Sequence, residues 1–275
     1  MDSALSNLLL IDECLFDFKR VKEFEMAIKK SVKPGDIVVD AGTGTGIIAL
    51  FAARAGAKKV YAVEWDPSIA KVARKNVKAN KYEDVIEVVN VDIRKFRLPK
   101  GVQADVLSME MLDTGLVAEL QAEAVLKLKR NKVIGKKTII LPERVKLFID
   151  AVNYDFNFYG FNLPLTIQAR NNGVLPKIKE VMSKDYCYGD IYFKKLLSRK
   201  FKAKIKLKAI KSGSINGVKL STDIYLLGKV CHPTSDMNMP VIIPIPIKQT
   251  KKNDIIKLTT EYVMGNGFED FKITD

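Results

Sequence analysis

One stretch of this chain constrains its fold more than any other, an apolar run that leads into a glycine-rich turn. Residues 37–39 read Ile-Val-Val, Asp40 follows them, and glycine then occupies every second position from 42 to 46. A second apolar run, residues 60–63, ends on Glu64. Short apolar runs of this kind form buried parallel strands, and such a turn at a strand end holds a nucleoside-containing cofactor. The sequence therefore predicts a cofactor site between two strands of an α/β sheet.

The order of the residues in this turn favours S-adenosylmethionine over a dinucleotide. Dinucleotide-binding turns space their glycines as GxGxxG and face a diphosphate with helix amides. Here Asp40 precedes Gly42, Gly44 and Gly46, and the turn has no basic residue. A carboxylate in that place repels a diphosphate but accepts hydrogen bonds from an ammonium group. Glu64 is placed to accept hydrogen bonds from the two ribose hydroxyls of the same cofactor.

Repeated strand–helix units surround this turn. Strands are predicted over 37–40, 60–63, 85–89, 104–108 and 138–141, and helices over 47–55, 68–80 and 117–128. Helical spacing of apolar residues, Phe18, Phe24 and Met26 among them, predicts a further helix before the first strand. Alternating units of this length form a doubly wound, parallel, Rossmann-like sheet.

The pattern of residues along the chain changes after Pro142. Short β-branched runs and prolines replace the long amphipathic helices, so the second half is predicted to be β-rich and barrel-like. We therefore expect two domains, a cofactor-binding domain with a helical lid over residues 1–142 and a β-rich substrate or dimerisation domain over residues 143–275.

Composition limits the setting in which the chain works. With 275 residues and 47% hydrophobic content, it can bury a full core. Its three cysteines have no CxxC spacing, so we expect neither a disulfide framework nor a zinc or other metal site. No apolar run reaches membrane-spanning length, and the start is too acidic for a signal peptide. The prediction is a cytoplasmic protein without membrane contact.

Positive charge is concentrated in the second half. The net charge is +14, and residues 143–275 carry 22 basic against 13 acidic side chains. Residues 201–209 alternate apolar residues with lysine, the pattern of a strand with one all-lysine face. That face could bind the phosphates of RNA or an acidic partner. It could equally be a solvated edge strand whose lysines prevent aggregation, or reflect a lysine-rich, heat-loving source.

The first half resembles the class I S-adenosylmethionine-dependent methyltransferases, and among them the protein arginine methyltransferases. The similarity runs from Asp17 to Asp150. It includes Arg20 in the first helix and the segment Phe-Ala-Ala-Arg-Ala-Gly-Ala-Lys-Lys-Val at residues 51–60. The resemblance implies S-adenosylmethionine as cofactor and a Rossmann-like sheet followed by a β-barrel.

The same resemblance assigns roles at the cofactor site. It implies that Arg20 pairs with the cofactor carboxylate, and that Asp40 and the glycine turn face its methionine end. Asp92 and Ile93 would flank the adenine. Residues 162–190 occupy the place of the family's dimerisation arm, so two copies of the chain could pair there.

The family also carries two glutamates in a loop after the fourth strand. This chain has Ser-Met-Glu-Met-Leu at residues 108–112, and Glu119 lies nine residues after Glu110. Two converging carboxylates can neutralise and orient a planar guanidinium group. The resemblance therefore implies that Glu110 and Glu119 are catalytic and that the acceptor is a protein arginine. Without the resemblance, Glu119 would be taken for a solvated acid at a helix start.

The chain departs from the family pattern at several positions. Met111 replaces a tryptophan, Asp113 replaces a glycine, and Thr234-Ser235-Asp236 stand where the family's Thr-His-Trp motif is expected. The single histidine, His232, is close enough in sequence to serve as a proton relay, although it also fits a surface loop. Two alternatives stay open: an RNA methyltransferase that uses the basic second half, and a cofactor-binding protein that has lost catalysis.

Overall fold

A computed structural model describes residues 14–169, 177–231 and 239–275. The first half is a parallel five-stranded sheet in the order β3-β2-β1-β4-β5. Its strands are β1 (Ile37–Ala41), β2 (Lys59–Glu64), β3 (Ile86–Asn90), β4 (Ala104–Met109) and β5 (Ile134–Leu141). Its helices are α1 (Phe18–Ser31), α2 (Ile47–Arg54), α3 (Pro67–Ala79) and α4 (Gln121–Arg130).

This strand order places a ligand site at one edge of the sheet. The chain runs outward from β1 through β2 to β3 and then returns to pair β4 with the other side of β1. Ligands bind at such a switch point, beyond the carboxyl ends of the strands. Val38 and Val39 are fully buried in the central strand, as their apolar run predicts. The predicted Rossmann-like sheet is confirmed.

Local sequence signals start two of the helices. The Asp17 carboxylate accepts a hydrogen bond from the Arg20 amide and begins α1. Asp66 does the same for the amides of Ser68 and Ile69, and Pro67 occupies the first position of α3. Side-chain capping and an N-terminal proline both satisfy amides that have no partner within the helix.

The apolar face predicted for α1 is partly wrong. Phe24 and Ile28 are buried as expected, but Phe18 and Met26 are exposed by 72% and 47%. The helix instead turns Arg20 inward, on the face that it shares with Phe24 and Ile28. Arginine is not an apolar residue, so the helical spacing of apolar residues could not show that Arg20 faces inward.

The predicted helix over 117–128 also needs correction. It begins at Gln121, and residues 117–119 form bends whose amides donate to the Asp113 carboxylate. Before them, residues 114–116 form a 3-10 turn in which Gly115 and Leu116 have φ angles of +80° and +56°. Left-handed φ angles do not occur within a regular right-handed helix. Strand β5 starts at Ile134, four residues before the predicted start at Thr138.

The second half is built from antiparallel strands, which confirms the β-rich prediction. A seven-stranded sheet has the order β10-β6-β13-β15-β9, with β11 on β6 and β14 on β13. A three-stranded sheet has the order β12-β16-β17, and β7 pairs with β8. The bounds of these strands are β6 (Arg144–Tyr154), β7 (Asn157–Phe158), β8 (Phe161–Asn162), β9 (Ile167–Gln168), β10 (Ile178–Val181), β11 (Tyr186–Tyr192), β12 (Lys200–Lys208), β13 (Gly213–Leu226), β14 (Lys229–Cys231), β15 (Val241–Thr250), β16 (Ile255–Val263) and β17 (Lys272–Thr274).

One apolar core joins the two halves. Val106 and Leu141 of the parallel sheet belong to the same buried cluster as Val218 and Leu258 of the antiparallel sheets. The sheet type changes between β5 and β6, while the exact domain boundary at residue 142 stays a prediction. Within the described ranges, none of the helices has the length and apolar character needed to cross a membrane.

Candidate active site

A cavity of about 560 Å³ lies beyond the carboxyl ends of β1, β2 and β4. Nearly every residue that the sequence singled out lines it. These residues are Arg20, Asp40, Gly42, Gly44, Glu64, Asp92, Ile93, Glu110 and Glu119. Gly46 does not line the cavity: it begins α2 with a φ of +85° and packs near Ala73.

Asp40 is a buried carboxylate at the floor of this cavity. It is 3% exposed, and the Thr43 hydroxyl donates a hydrogen bond of 2.5 Å to it. Burial raises the pKa of Asp40 to about 7, although the hydrogen bond from Thr43 opposes that shift. A carboxylate that is held in a site where ionisation is unfavourable gains the most from a cationic ligand.

Glu64 ties the glycine turn to the second strand. Its carboxylate accepts hydrogen bonds of 3.1 Å from the amides of Gly44 and Asp66. Burial raises the pKa of Glu64. A side chain at Gly42 would approach Met111 within 3.1 Å, and the Gly42 φ of +72° also favours glycine. The turn is therefore held close to the loop after β4, residues 110–120, which we call the β4 loop.

Asp92 and Ile93 lie on the cavity wall next to Arg94. The Arg94 guanidinium binds the Asp92 carboxylate at 2.6 Å and lowers the pKa of Asp92. Ile93 is buried and offers an apolar surface. Trp65, the single tryptophan of the chain, also lines the cavity and is 66% exposed. Its fluorescence can therefore report a ligand in the cavity.

Arg20 and Glu110 form a mostly buried ion pair. The Arg20 guanidinium lies 2.5 Å from the Glu110 carboxylate, and the side chains are 7% and 15% exposed. Burial raises the pKa of Glu110, the Arg20 charge opposes that shift, and Glu119 adds to it. Arg20 also donates a 2.8 Å hydrogen bond to the carbonyl of Cys14. This arrangement fixes Glu110 at the cavity edge.

Asp113 holds the loop that carries Glu119. Its carboxylate accepts hydrogen bonds from the amides of Val117, Ala118 and Glu119 at 3.1, 2.9 and 3.1 Å. Burial raises the pKa of Asp113 to about 6, and these amide hydrogen bonds oppose the shift. Asp113, which stands where the family has a glycine, is thus a buried residue that holds the loop in place.

Strands of the second half fasten the same loop from the other side. The Gly115 amide donates to the Thr222 hydroxyl at 2.8 Å, and the Tyr262 hydroxyl donates to the Gly115 carbonyl at 2.7 Å. The amides of Gly265 and Gly267 donate to the Val117 carbonyl at 3.0 and 2.9 Å. The position of Glu119 therefore depends on both halves of the chain.

Gln121 is a positioning residue that sequence reasoning missed. Its side chain donates to the Met109 carbonyl at 3.2 Å and accepts from the Met111 amide at 3.1 Å. It thus brackets Glu110. No sequence signal marks it, since a glutamine at a helix start has no distinctive pattern. Thr43, by contrast, could have been found from its place within the turn.

The predictions for His232 and for Thr234-Ser235-Asp236 fall outside the described residues.

The cavity is strongly acidic. Burial raises the pKa of four carboxyls that line it, those of Asp40, Glu64, Glu110 and Glu119. Of the basic residues that line the cavity, Arg20 already pairs with Glu110, and Arg94 pairs with Asp92. Clusters of acids with raised pKa values in a cleft are typical of sites that bind cations.

Comparison with known proteins identifies the family. The family described as "TRM5/TYW2 methyltransferase domain" matches residues 7–153, which is more than half of the chain. The chain belongs to that family. It is an S-adenosylmethionine-dependent methyltransferase of class I, and the predicted cofactor and resemblance are confirmed.

Relatives of this methyltransferase extend the comparison. An uncharacterized protein of Methanocaldococcus jannaschii is 30% identical over 94% of this chain and 93% of its own length. Protein arginine N-methyltransferase 6 of Danio rerio is 38% identical over 54% of this chain. The match covers 42% of that relative, so the methyltransferase spans less than half of its length.

Solved structures share the fold along the whole chain. The Trypanosoma brucei PRMT1 enzyme–prozyme heterotetrameric complex with AdoHcy has a TM-score of 0.78, 17% identity and coverage of 100% of this chain and 98% of its own. A PRMT6 structure with SAH has a TM-score of 0.73 at 15% identity, covering 97% of this chain and 98% of that one. At these identities the likeness establishes the fold.

Asp113 offers a test of how the loop is positioned. Changing Asp113 to Asn keeps the shape but removes the charge, and its amide group cannot accept all three loop hydrogen bonds. A lost hydrogen bond to a charged group is worth about 1.5–3 kcal/mol. We expect kcat/KM for methyl transfer to fall about tenfold and amide exchange at Val117–Glu119 to accelerate, with cofactor affinity unchanged. Asp254→Asn is the control, because Asp254 also accepts an amide hydrogen bond but lies outside the cavity. An unaltered exchange rate would contradict the role of Asp113.

Proposed function

We propose that this methyltransferase acts on the guanidinium group of a protein arginine. One observation carries the proposal: Glu110 and Glu119, from different parts of the β4 loop, line the same cavity as the glycine turn. A guanidinium group has five N–H donors in a plane, and two carboxylates can accept them while cancelling its charge. The printed names of the arginine methyltransferase relatives agree with this acceptor.

The residues present fit S-adenosylmethionine. The Asp40 carboxylate would accept hydrogen bonds from the cofactor ammonium, and a cation there would favour its ionised form, because burial raises the pKa of Asp40. Glu64 would accept hydrogen bonds from the ribose hydroxyls. Arg20 would bind the cofactor carboxylate while still contacting Glu110. Gly42 and Gly44 provide close backbone approach, and Ile93 with Asp92 would face the base. When bound, the cofactor supplies an electrophilic methyl group on a sulfonium.

The chain's own residues then position the acceptor. Glu110, held by Arg20 and bracketed by Gln121, would orient one edge of the guanidinium group. Glu119 would accept hydrogen bonds from a second edge. An arginine nitrogen that received the methyl group would have to lose a proton. Glu119 can take that proton, since burial raises the pKa of Glu119.

An acceptor on RNA is the second candidate. The net charge of +14, concentrated in the second half, favours a polyanionic partner. The acidic cavity favours a cationic group instead, because carboxylates repel phosphates at short range. We therefore rank the protein arginine first.

A labelling experiment distinguishes the two acceptors. The protein is incubated with cell extract and S-adenosylmethionine carrying a labelled methyl group, and the product is then treated with protease or with ribonuclease. We expect protease to release the label and ribonuclease to leave it in place, with methylarginine recovered after acid hydrolysis. Label released by ribonuclease alone would refute the protein acceptor and support RNA. The inactive control is the Glu119→Gln variant, which lacks one carboxylate of the pair.

We also propose that two copies pair through the segment 162–190. The hairpin β7–β8 and the residues after it expose apolar side chains, which supports a protein contact there. Leu163 and Leu165, within the segment, are 43% and 49% exposed, and Tyr159 and Phe161, just before it, are 99% and 69% exposed.

A further inference from the structure

The outer face of the sheet β12-β16-β17 is a row of lysines. Strand β12 points alternate residues outward, and all of them are lysine and exposed: Lys200, Lys202, Lys204, Lys206 and Lys208. Antiparallel pairing adds Lys257 from β16, opposite Lys206, and Lys272 from β17, opposite Glu261. We call these seven residues the lysine face.

Little on this sheet neutralises the lysine face. Within the strands of the sheet, all of which the structure describes, Glu261 is the single acidic residue. It binds Lys202 at 2.8 Å. Lys206 and Lys257 lie directly opposite one another, an arrangement of like charges that destabilises a sheet. A partner with negative charge would relieve that repulsion.

The face is regular, and it leads toward the cavity. Alternate residues of a strand lie about 6.8 Å apart, so the five lysines of β12 extend over about 27 Å. At one end of the row, Lys200 pairs with Val263 of β16. Two residues further along the chain, the Gly265 amide donates to the Val117 carbonyl, in the loop before Glu119. The other end pairs with Ile255. A linear polyanion on this row would therefore approach the active-site loop.

We propose that the lysine face binds the sugar–phosphate backbone of a nucleic-acid strand. The spacing of the lysines is comparable to that of successive phosphates along one strand, and each lysine offers a point charge to one phosphate. The opposite face of β12 packs Phe201, Ile205 and Leu207 inward. No aromatic residue of this sheet points outward, so the surface contacts phosphates and does not stack bases.

An acidic protein segment fits this face less well. Protein interfaces gain affinity from an apolar or aromatic centre, whereas the apolar residues of the outer face, Ile255 and Val263, stand at its ends. Nucleic-acid binding can rest on counterion release alone. This inference does not depend on whether the methyl acceptor is a protein or an RNA.

Fluorescence anisotropy tests the proposal with the full chain. Fluorescein-labelled oligouridylate of about 20 nucleotides is titrated with wild-type protein at several salt concentrations between about 50 and 200 mM. The test variant is Lys204→Gln/Lys206→Gln/Lys208→Gln. The control is Lys71→Gln/Lys75→Gln/Lys78→Gln, which removes the same charge from exposed positions of α3.

We expect the test variant to bind at least about tenfold more weakly at low salt, and the slope of log K against log salt to become less steep by about 2. The control should change affinity by less than about twofold. Oligoadenylate and single-stranded DNA of equal length should bind within a fewfold of oligouridylate, because no base is read.

Three results would overturn the proposal. These are the absence of binding by wild-type protein, an equal loss in both triple variants, and displacement of the nucleic acid by polyglutamate at equal charge concentration. The last result would assign the face to an acidic protein. The Glu110→Gln variant should bind the oligonucleotide as wild type does, which separates a failure of this proposal from a failure of the proposed catalysis.

Discussion

Replacing Glu110 with glutamine is expected to lower kcat/KM for methyl transfer by at least about 30-fold. Removing one charge of a desolvated, hydrogen-bonded pair costs about 2–5 kcal/mol, and each 1.36 kcal/mol is about tenfold in rate. Glutamine keeps the shape of Glu110, and its carbonyl can still accept a hydrogen bond from Arg20. The variant should therefore fold, and methyl transfer to cell extract should be nearly lost.

Two companion variants make that result specific. Glu119→Gln should also lower methyl transfer, without touching the Arg20–Glu110 ion pair. Glu87→Gln is the control, since Glu87 is exposed and pairs with Lys59 on the sheet. Cofactor affinity, followed by Trp65 fluorescence, separates a loss of acceptor binding from a loss of cofactor. Undiminished transfer by Glu110→Gln would rule out the two-carboxylate clamp.

Replacing Asp40 with alanine is expected to weaken cofactor binding by about 100-fold or more. The change removes the carboxylate that we assign to the cofactor ammonium, a charge-assisted contact in a buried site. Isothermal titration calorimetry measures the effect directly. The control is Asp105→Ala, at the start of β4 and away from the cavity, where the carboxylate accepts the Ile37 amide. Affinity retained in Asp40→Ala would show that the glycine turn has another ligand.

The same residue makes cofactor affinity depend on pH. With its pKa raised to about 7, Asp40 is protonated in the free protein at lower pH, whereas a bound ammonium favours the carboxylate. Binding must then release a proton, so affinity should fall roughly fivefold from about pH 7 to about pH 6. Asp40→Asn should remove most of this dependence. A pH-independent affinity in the wild type would contradict this assignment.

The stability of the Asp40 variant should not suffer. The folded state holds this proton at pH values where an unfolded aspartate, with a pKa near 3.9, has already lost it. Stability from this group is therefore lost as the pH rises from about 4 to about 7, and at neutral pH the buried carboxylate is unfavourable to the fold. We expect an unchanged or higher Tm for Asp40→Ala by calorimetry. Function and stability thus oppose one another at this position.

Sequence patterns captured the first half because its signals are local. The apolar run before Asp40 forms the central strand, and Pro67 begins α3. In the second half, the alternation at 201–209 likewise predicted the strand β12. These features depend on periodicity, capping and turn chemistry, which a short window of sequence carries. The same holds for Gly42, Gly44 and Glu64, which line one cavity.

The rest depended on contacts between distant residues. Asp113 stood out only as a departure from a family glycine, yet its carboxylate holds three amides of the loop. The residues that carry these amides form bends, so the helix predicted from residue 117 begins only at Gln121. Arg20 faces inward because Glu110, ninety positions away, neutralises it. No local pattern encodes such pairs. Sequence analysis therefore identified Arg20 and Glu110 as site residues without predicting their contact.

Several hydrogen bonds between the β4 loop and the second half use main-chain atoms. The amides of Gly265 and Gly267 and the carbonyls of Gly115 and Val117 are present whatever side chains surround them. Two anchors on the antiparallel strands do depend on side chains, the hydroxyls of Thr222 and Tyr262. Substitutions elsewhere along these strands can accumulate while the loop stays anchored. The outer surface of the second half can therefore change without moving Glu119.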